Sequence, residues 1–320
     1  RQYGNHLACT PNMDRLAAEG VRFDNCFVQH TVCTPSRCSF MTGWYPHVRG
    51  HRTLWHMLRP DEPNLLRYLK EAGYQVHWWG KNDLLAQASF ASSVTSASDP
   101  DAECFGANPW RPDDPRYYSF LSEPYRGSLE AHGDFRRVES AIRFLRSAPR
   151  DPFILYLALS FTHPPYSAPV EWHDRVDPAA LPPLRPAGLA GKPDFHELIR
   201  KTRRLDRLDE SVFRKIQAVY LGMAGFVDML LGRLLEALAD TGFDKNTTLM
   251  VFSDHGDYAG DYGLVEKWPS GLEDVLTRVP LIVRAPGAAK GHVVREPVEM
   301  FDIVPTVLDL SLIHISEPTR

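Results

Sequence analysis

The sequence predicts an α/β protein, a three-layer α/β/α sandwich with a mostly parallel central sheet. Three observations carry this. Short apolar runs with strand character alternate with amphipathic helical stretches along the whole chain. Residues 153–161 are apolar almost without interruption, the pattern of a strand covered on both faces. Three of the runs pass directly into ionisable residues, as expected of an open sheet that binds its ligand beyond the carboxyl ends of its strands.

The elements follow in order. Thr10 is placed to cap a helix with Pro11 in its first turn, running through Leu16 and Ala17 to Gly20. Residues 21–28 read as a strand. Pro35 suits a helix first turn, which puts Cys33 at or just before the N-terminus of a helix over residues 36–42 that stops at Gly43. Residues 65–72 form an amphipathic helix closed by Gly73, and residues 74–79 an apolar strand. Residues 86–125, rich in Ser, Asp and Pro, read as a long irregular insertion over the mouth of a site. A helix over 135–145 and the strand over 153–161 precede a Pro-rich loop, 164–194. Residues 212–238 are one long helix or a broken pair, and 247–252 and 279–283 are buried strands.

Composition narrows the class. The 320 residues are 43% hydrophobic and 24% charged, enough for a sizeable core. A net charge of −4 gives no reason to expect a nucleic acid or an anionic membrane as partner. The basic run Arg200-Lys201-Thr202-Arg203-Arg204 reads as a solvated helix face. No apolar stretch in the sequence reaches the roughly 20 residues of a membrane span. The five cysteines, Cys9, Cys26, Cys33, Cys38 and Cys104, contain no CxxC pair and no zinc-ligand spacing.

The ionisable residues after the strands are Lys81 with Asn82 and Asp83, His163 with Pro164, and Asp254 with His255. Together they predict one shared site holding Lys81, His163, Asp254 and His255. Cys33 adds a thiol at a helix start, where backbone N–H groups and the helix dipole favour an anion, and Arg37 lies one turn on. A plain buried cysteine remains an open reading. A thiolate phosphatase would want its arginine six positions after the cysteine, where Ser39 stands. His47, His51 and His56 read as structural or rim residues, and Trp44, Trp55, Trp78 and Trp79 as core.

Cys33-Thr34-Pro35-Ser36-Arg37, followed by Met41-Thr42-Gly43, resembles the sulfatase signature Cys-x-Pro-Ser-Arg followed by Leu-Thr-Gly. The lead-in from Thr10 to Phe23, then Ser253-Asp254-His255-Gly256, Lys267, residues 278–283 and residues 301–306, fit that family in order and spacing. The resemblance implies the alkaline-phosphatase-like sandwich and hydrolysis of a small-molecule or carbohydrate sulfate ester. It implies that a formylglycine-generating maturation enzyme oxidises Cys33 to formylglycine, whose hydrate is the nucleophile, beside one calcium ion. Asp254 matches a metal ligand and base, His255 a further ligand, and residue 33 binds the ion as the hydrate. Arg37 would hold the hydrate, while Lys81, His163 and Lys267 would hold sulfate oxygens, with His163 or Lys267 as proton donor. A phosphonate monoester or phosphodiester hydrolase using the same formylglycine, and a non-catalytic sulfatase-like binding protein, are the alternatives.

This sequence departs from the family pattern in places. The pair of aspartates usual at the end of the first strand does not precede Cys33, so this stretch is expected to bind calcium poorly and to be inactive by itself. Asp83 stands where many members have a histidine. The chain reads as truncated at both ends: a first strand is expected before Arg1. Residues 1–309 read as one catalytic domain, and residues 310–320 resemble a translated sequencing adapter. Compartment is left open, although the family is often exported.

Overall fold

The computed structural model describes residues 1–98 and 104–311. The tail reading of residues 310–320 therefore falls, from residue 312 on, outside the described residues. In chain order the elements are α1 (Pro11–Glu19), β1 (Val21–Phe27), α2 (Cys33–Thr42), α3 (Leu65–Glu71), β2 (Gln75–Gly80), α4 (Phe90–Ser93), β3 (Ser96–Ser98), α5 (Gly133–Arg146), β4 (Phe153–Ala158), α6 (Val170–His173), α7 (Phe195–Thr202), α8 (Glu210–Thr241), β5 (Leu249–Phe252), α9 (Asp274–Thr277), β6 (Arg278–Arg284), β7 (His292–Val294), β8 (Val298–Glu299) and α10 (Ile303–Leu310).

Period-2 alternation builds the three layers. In β4, Phe153, Leu155 and Leu157 pack into one core, with α5 and α8; Ile154 and Tyr156 pack into the other, with α2, α3 and α10. In β5 the same split sends Leu249 one way and Met250 and Phe252 the other. Every second side chain thus meets a helical layer, and this is why the strands read as continuous apolar runs. β2 lies between β3 and β4, parallel to both. A second ladder orders β5-β6-β1-β7, with β8 also on β1; β6 is antiparallel to β5 and β1, while β7 and β8 are parallel to β1.

Three expectations shift. Helix α2 begins at Cys33, not Ser36, with Val32 as its extended N-cap residue. Pro35 then sits at the third helical position, where an N–H has no partner inside the helix in any case, so the ring costs nothing there. None of the described residues of 86–125 lines the cleft built below. They supply β3, and Leu121 and Tyr125 pair with Tyr166 and Pro169 along the far loop. The strand escaped notice because Ser-Ala-Ser carries no apolar signal. The region 212–238 is one unbroken helix, extended to Glu210–Thr241.

By length and composition α8 could cross a membrane, which the sequence count of apolar runs missed. About 67% of its most apolar stretch is buried within the fold. Gly222 brings it against α6: a Cβ there would overlap the Trp172 carbonyl oxygen.

Candidate active site

The carboxyl ends of β2, β4 and β5 and the N-terminus of α2 converge on one cleft. Its inner part, of about 50 Å³, is lined by Cys33, Arg37, Lys81, His163, Asp254 and His255 among others. An outer part of about 370 Å³ adds Asp83, Glu266 and Lys267. All seven residues singled out in the sequence therefore face the same space.

Cys33 is the first residue of α2 and is 2% exposed. Its Sγ lies 3.2 Å from His255 Nε2 and 3.9 Å from Lys81 Nζ. The Nδ1–H of His255 donates to the Gly256 carbonyl at 2.8 Å, which leaves Nε2 as the acceptor facing the sulfur. Asp254 is clamped from α2 at both its backbone and its side chain. Ser36 Oγ donates to the Asp254 carbonyl at 2.5 Å, and Arg37 Nε donates to Oδ2 at 2.8 Å. Burial pushes the Asp254 carboxyl up, but the facing His255 ring and the Arg37 guanidinium outweigh it and hold the group below the ordinary carboxylate range. Burial pushes the Cys26 and Cys38 thiols up to about 12.

On the other side of the cleft, Lys267 Nζ makes a short hydrogen bond to His163 Nε2, while His163 Nδ1 donates to the Pro164 carbonyl at 2.6 Å. Lys81 pairs with Asp83 at 2.8 Å, and Lys267 with Glu266 at 3.3 Å.

Sequence reading gave no role to Asp257 or Tyr166. The Tyr166 hydroxyl donates to Asp257 Oδ1 at 2.7 Å and accepts from the Glu266 N–H at 2.7 Å. It ties the loop that carries His163 to the loop that carries Lys267. Burial pushes the Asp257 carboxyl up to about 6, against the Tyr166 and Ala259 hydrogen bonds. The tryptophans divide: Trp78 and Trp79 are core, but Trp55 is 86% exposed on the outer cleft. Of the histidines, His51 is buried and pairs with Glu62, while His47 and His56 are exposed.

The donor set suits a divalent cation. Ligand atoms of Cys33, Asp254 and His255 all lie within 4.8 Å of one another, the carboxylate stays ionised, and the imidazole presents a lone pair. The sulfur of residue 33 here occupies the place that an oxygen of formylglycine would take.

The sulfatase family model matches residues 1–313. The chain belongs to the sulfatase family. It is 29% identical over 330 residues to an uncharacterized sulfatase, YidJ, of Escherichia coli (strain K12), covering 96% of this chain and 64% of that protein. It is 28% identical over 321 residues to the iduronate 2-sulfatase of Mus musculus, covering 89% of this chain and 56% of that protein. The sulfatase chain thus spans less than two thirds of these relatives' length. Its fold is that of the phosphonate monoester hydrolase of Agrobacterium radiobacter, with a TM-score of 0.75 at 21% identity over 96% of this chain and 70% of the other. This is the alkaline-phosphatase-like architecture. Sulfatases generally use a formylglycine and a divalent metal.

Proposed function

We propose that this protein hydrolyses sulfate esters, with Cys33 matured to formylglycine and calcium as the divalent cation. The observation that carries the reading is the position of the Cys33 sulfur. It sits at the mouth of α2, 3.2 Å from His255 and 3.9 Å from Lys81, within reach of Asp254. Formylglycine and its cation supply a nucleophilic hydroxyl held beside positive charge.

The chain's own residues do the rest. Asp254 and His255 hold the cation. The low carboxyl of Asp254 fits this role better than that of a base, since a weakly basic group has little drive to take a proton at neutral pH. Arg37 fixes Asp254 through Nε, and its Nη1 is buried with no hydrogen-bond partner, a donor free for an oxygen on residue 33. Lys81 and the Lys267–His163 pair face the cleft as cations for sulfate oxygens, where charge accumulates as the ester bond breaks. Because His163 Nδ1 is committed to the Pro164 carbonyl and Nε2 accepts from Lys267, the proton for the leaving oxygen starts on the Lys267 side of that pair. Calcium takes 6–8 oxygen ligands; one carboxylate and residue 33 supply few of these, so further oxygens must complete the shell.

Mass spectrometry of the peptide carrying Cys33, after co-expression with a formylglycine-generating enzyme, tests the first step. The thiol-to-aldehyde mass change is expected, and an unchanged thiol beside an active maturase favours a binding protein instead. Turnover of 4-nitrophenyl sulfate against phosphonate monoester and phosphodiester analogues tests the second. A strong preference for the phosphorus esters would replace sulfate by phosphonate or phosphodiester in this reading.

A further inference from the structure

The outer cleft has an apolar wall opposite its charges. Leu54, Trp55 and Met57 line it together with Cys33, Lys81 and Lys267. Trp55 leaves 86% of its surface in water and Leu54 44%. An indole is among the largest apolar surfaces a chain can bury, and singly exposed tryptophans on a reaction cleft are not explained by packing.

The segment that presents Trp55 is pinned from several sides. Thr34, inside the signature helix, donates from Oγ1 to the Leu54 carbonyl at 3.2 Å. The Trp55 N–H donates to Thr53 Oγ1 at 3.3 Å. Behind them, His51 is buried, bonded through Nδ1 to the His56 carbonyl at 2.5 Å and through Nε2 to Glu62 at 3.0 Å. Glu62 is wholly buried and accepts the Arg59 N–H at 2.8 Å. The buried His51–Glu62 pair and a bond to the signature helix thus hold the backbone that carries the exposed ring at a set place on the cleft wall. The carboxylates of Asp83 and Glu266 edge the same space as acceptors.

We propose that Trp55 is the specificity-determining platform for the organic part of the ester: a six-membered ring stacks its flat apolar face on the indole while its sulfate lies among Lys81, His163 and Lys267. Acceptors at the rim favour a ring that carries hydroxyl groups, a pyranose, over a bare aryl group. The assignment rests on the sulfatase reading of the cleft.

Calorimetric titration of the unmatured Cys33 protein, in calcium, gives equilibrium constants without turnover. The probes are glucose 6-sulfate, 4-nitrophenyl sulfate and inorganic sulfate, on the wild type, Trp55→Ala and Trp55→Phe. Trp55→Ala is expected to weaken the ring esters about tenfold, equivalent to about 1.4 kcal/mol, and to leave inorganic sulfate within about twofold. Trp55→Phe, which keeps a flat face, is expected to stay within about threefold of wild type. A larger loss for the sugar ester supports the pyranose; a larger loss for the aryl ester keeps the platform and overturns the pyranose. Unchanged ring-ester binding in Trp55→Ala overturns the platform, as does an equal weakening of inorganic sulfate. A change in oligomeric state with unchanged ring-ester binding overturns it in favour of a protein contact. A wild type that binds inorganic sulfate but no ring ester removes the platform and spares the anion centre; one that binds none of the three removes both.

Discussion

Asp254 joins two requirements that usually conflict. It is withdrawn from water, which disfavours its charge, and on the proposed reading it must stay charged to hold a cation. Arg37 and His255 resolve the conflict by facing it, and Ser36 fixes its backbone. Asp254→Asn keeps the shape and removes the charge, leaving the Arg37 guanidinium buried without a counter-ion. The expected outcome is a fall in kcat/KM of about 10³ or more in the matured enzyme, together with loss of calcium-dependent thermal stabilisation. Retained stabilisation by calcium would mean that the ion is held elsewhere. Tyr166 acts at one remove, since its hydroxyl bonds Asp257 and the Glu266 N–H. Tyr166→Phe removes one hydroxyl that links Asp257 to the Glu266 N–H. A tenfold loss in kcat with KM nearly unchanged, roughly 1.4 kcal/mol in the barrier, is expected from a displaced Lys267–His163 pair. A fall in thermal stability alone, with kcat intact, would leave Tyr166 as a structural strut.

Single elements decide where those residues point. Gly80 ends β2 at φ +124, and a Cβ there would overlap the Ala158 carbonyl oxygen, which accepts the Lys81 N–H at 3.0 Å. Gly80→Ala is therefore expected to destabilise the fold by about 2 kcal/mol or more and to weaken sulfate binding with it, read by denaturant melts and sulfate titration. The loop before α3 gives a pH-dependent case. Burial raises the Glu62 carboxyl, but the hydrogen bonds from the Arg59 N–H, the Arg59 side chain and His51 outweigh it, so the group sits below its ordinary 4.5. A depressed carboxylate adds stability above its ordinary value and loses it as the pH falls through the folded value. Glu62→Gln should then be less stable than wild type at pH 7 by about 2 kcal/mol, with the gap narrowing below about pH 4.5; a gap that is constant with pH would contradict the charge argument. The elements also show what was legible beforehand. Lys81, His163, Asp254 and His255 could be read because each follows a short, nearly continuous apolar run, and position after a strand implies position at the sheet's edge. Cys33 and Arg37 could be read because proline and glycine mark the two ends of α2. Trp55, Tyr166 and Asp257 could not. Tyr166 meets its partners 91 and 100 residues away, and no local pattern encodes that distance. The β3 strand, Ser-Ala-Ser, pairs with β2 and, among the described residues, with no other strand.

At the scale of the whole molecule, the cleft lies where the two cores meet. Residues on α2 belong to the core that holds α3 and α10, while the loop after β4 leads into the core of α5 and α8. A ligand in the cleft bridges both, so its binding energy is expressed as stability of the fold. Calcium at about 100 times its dissociation constant should stabilise by about 2.7 kcal/mol, a rise in Tm of several degrees that a chelator reverses. Sulfate should act at the facing cations. On the proposed reading Asp254 and His255 hold the one ligand, and Lys81, His163 and Lys267 the other, across a single space lined by all five, so the two charges attract directly across the cleft. Each should therefore tighten the other by the same factor, as linkage requires. The measurement is the Tm with calcium alone, sulfate alone and both. A combined shift greater than the sum of the two is the expected result, and Lys81→Met should reduce the excess while preserving the shift from calcium alone. Additive shifts in the wild type would place the two ligands in separate sites.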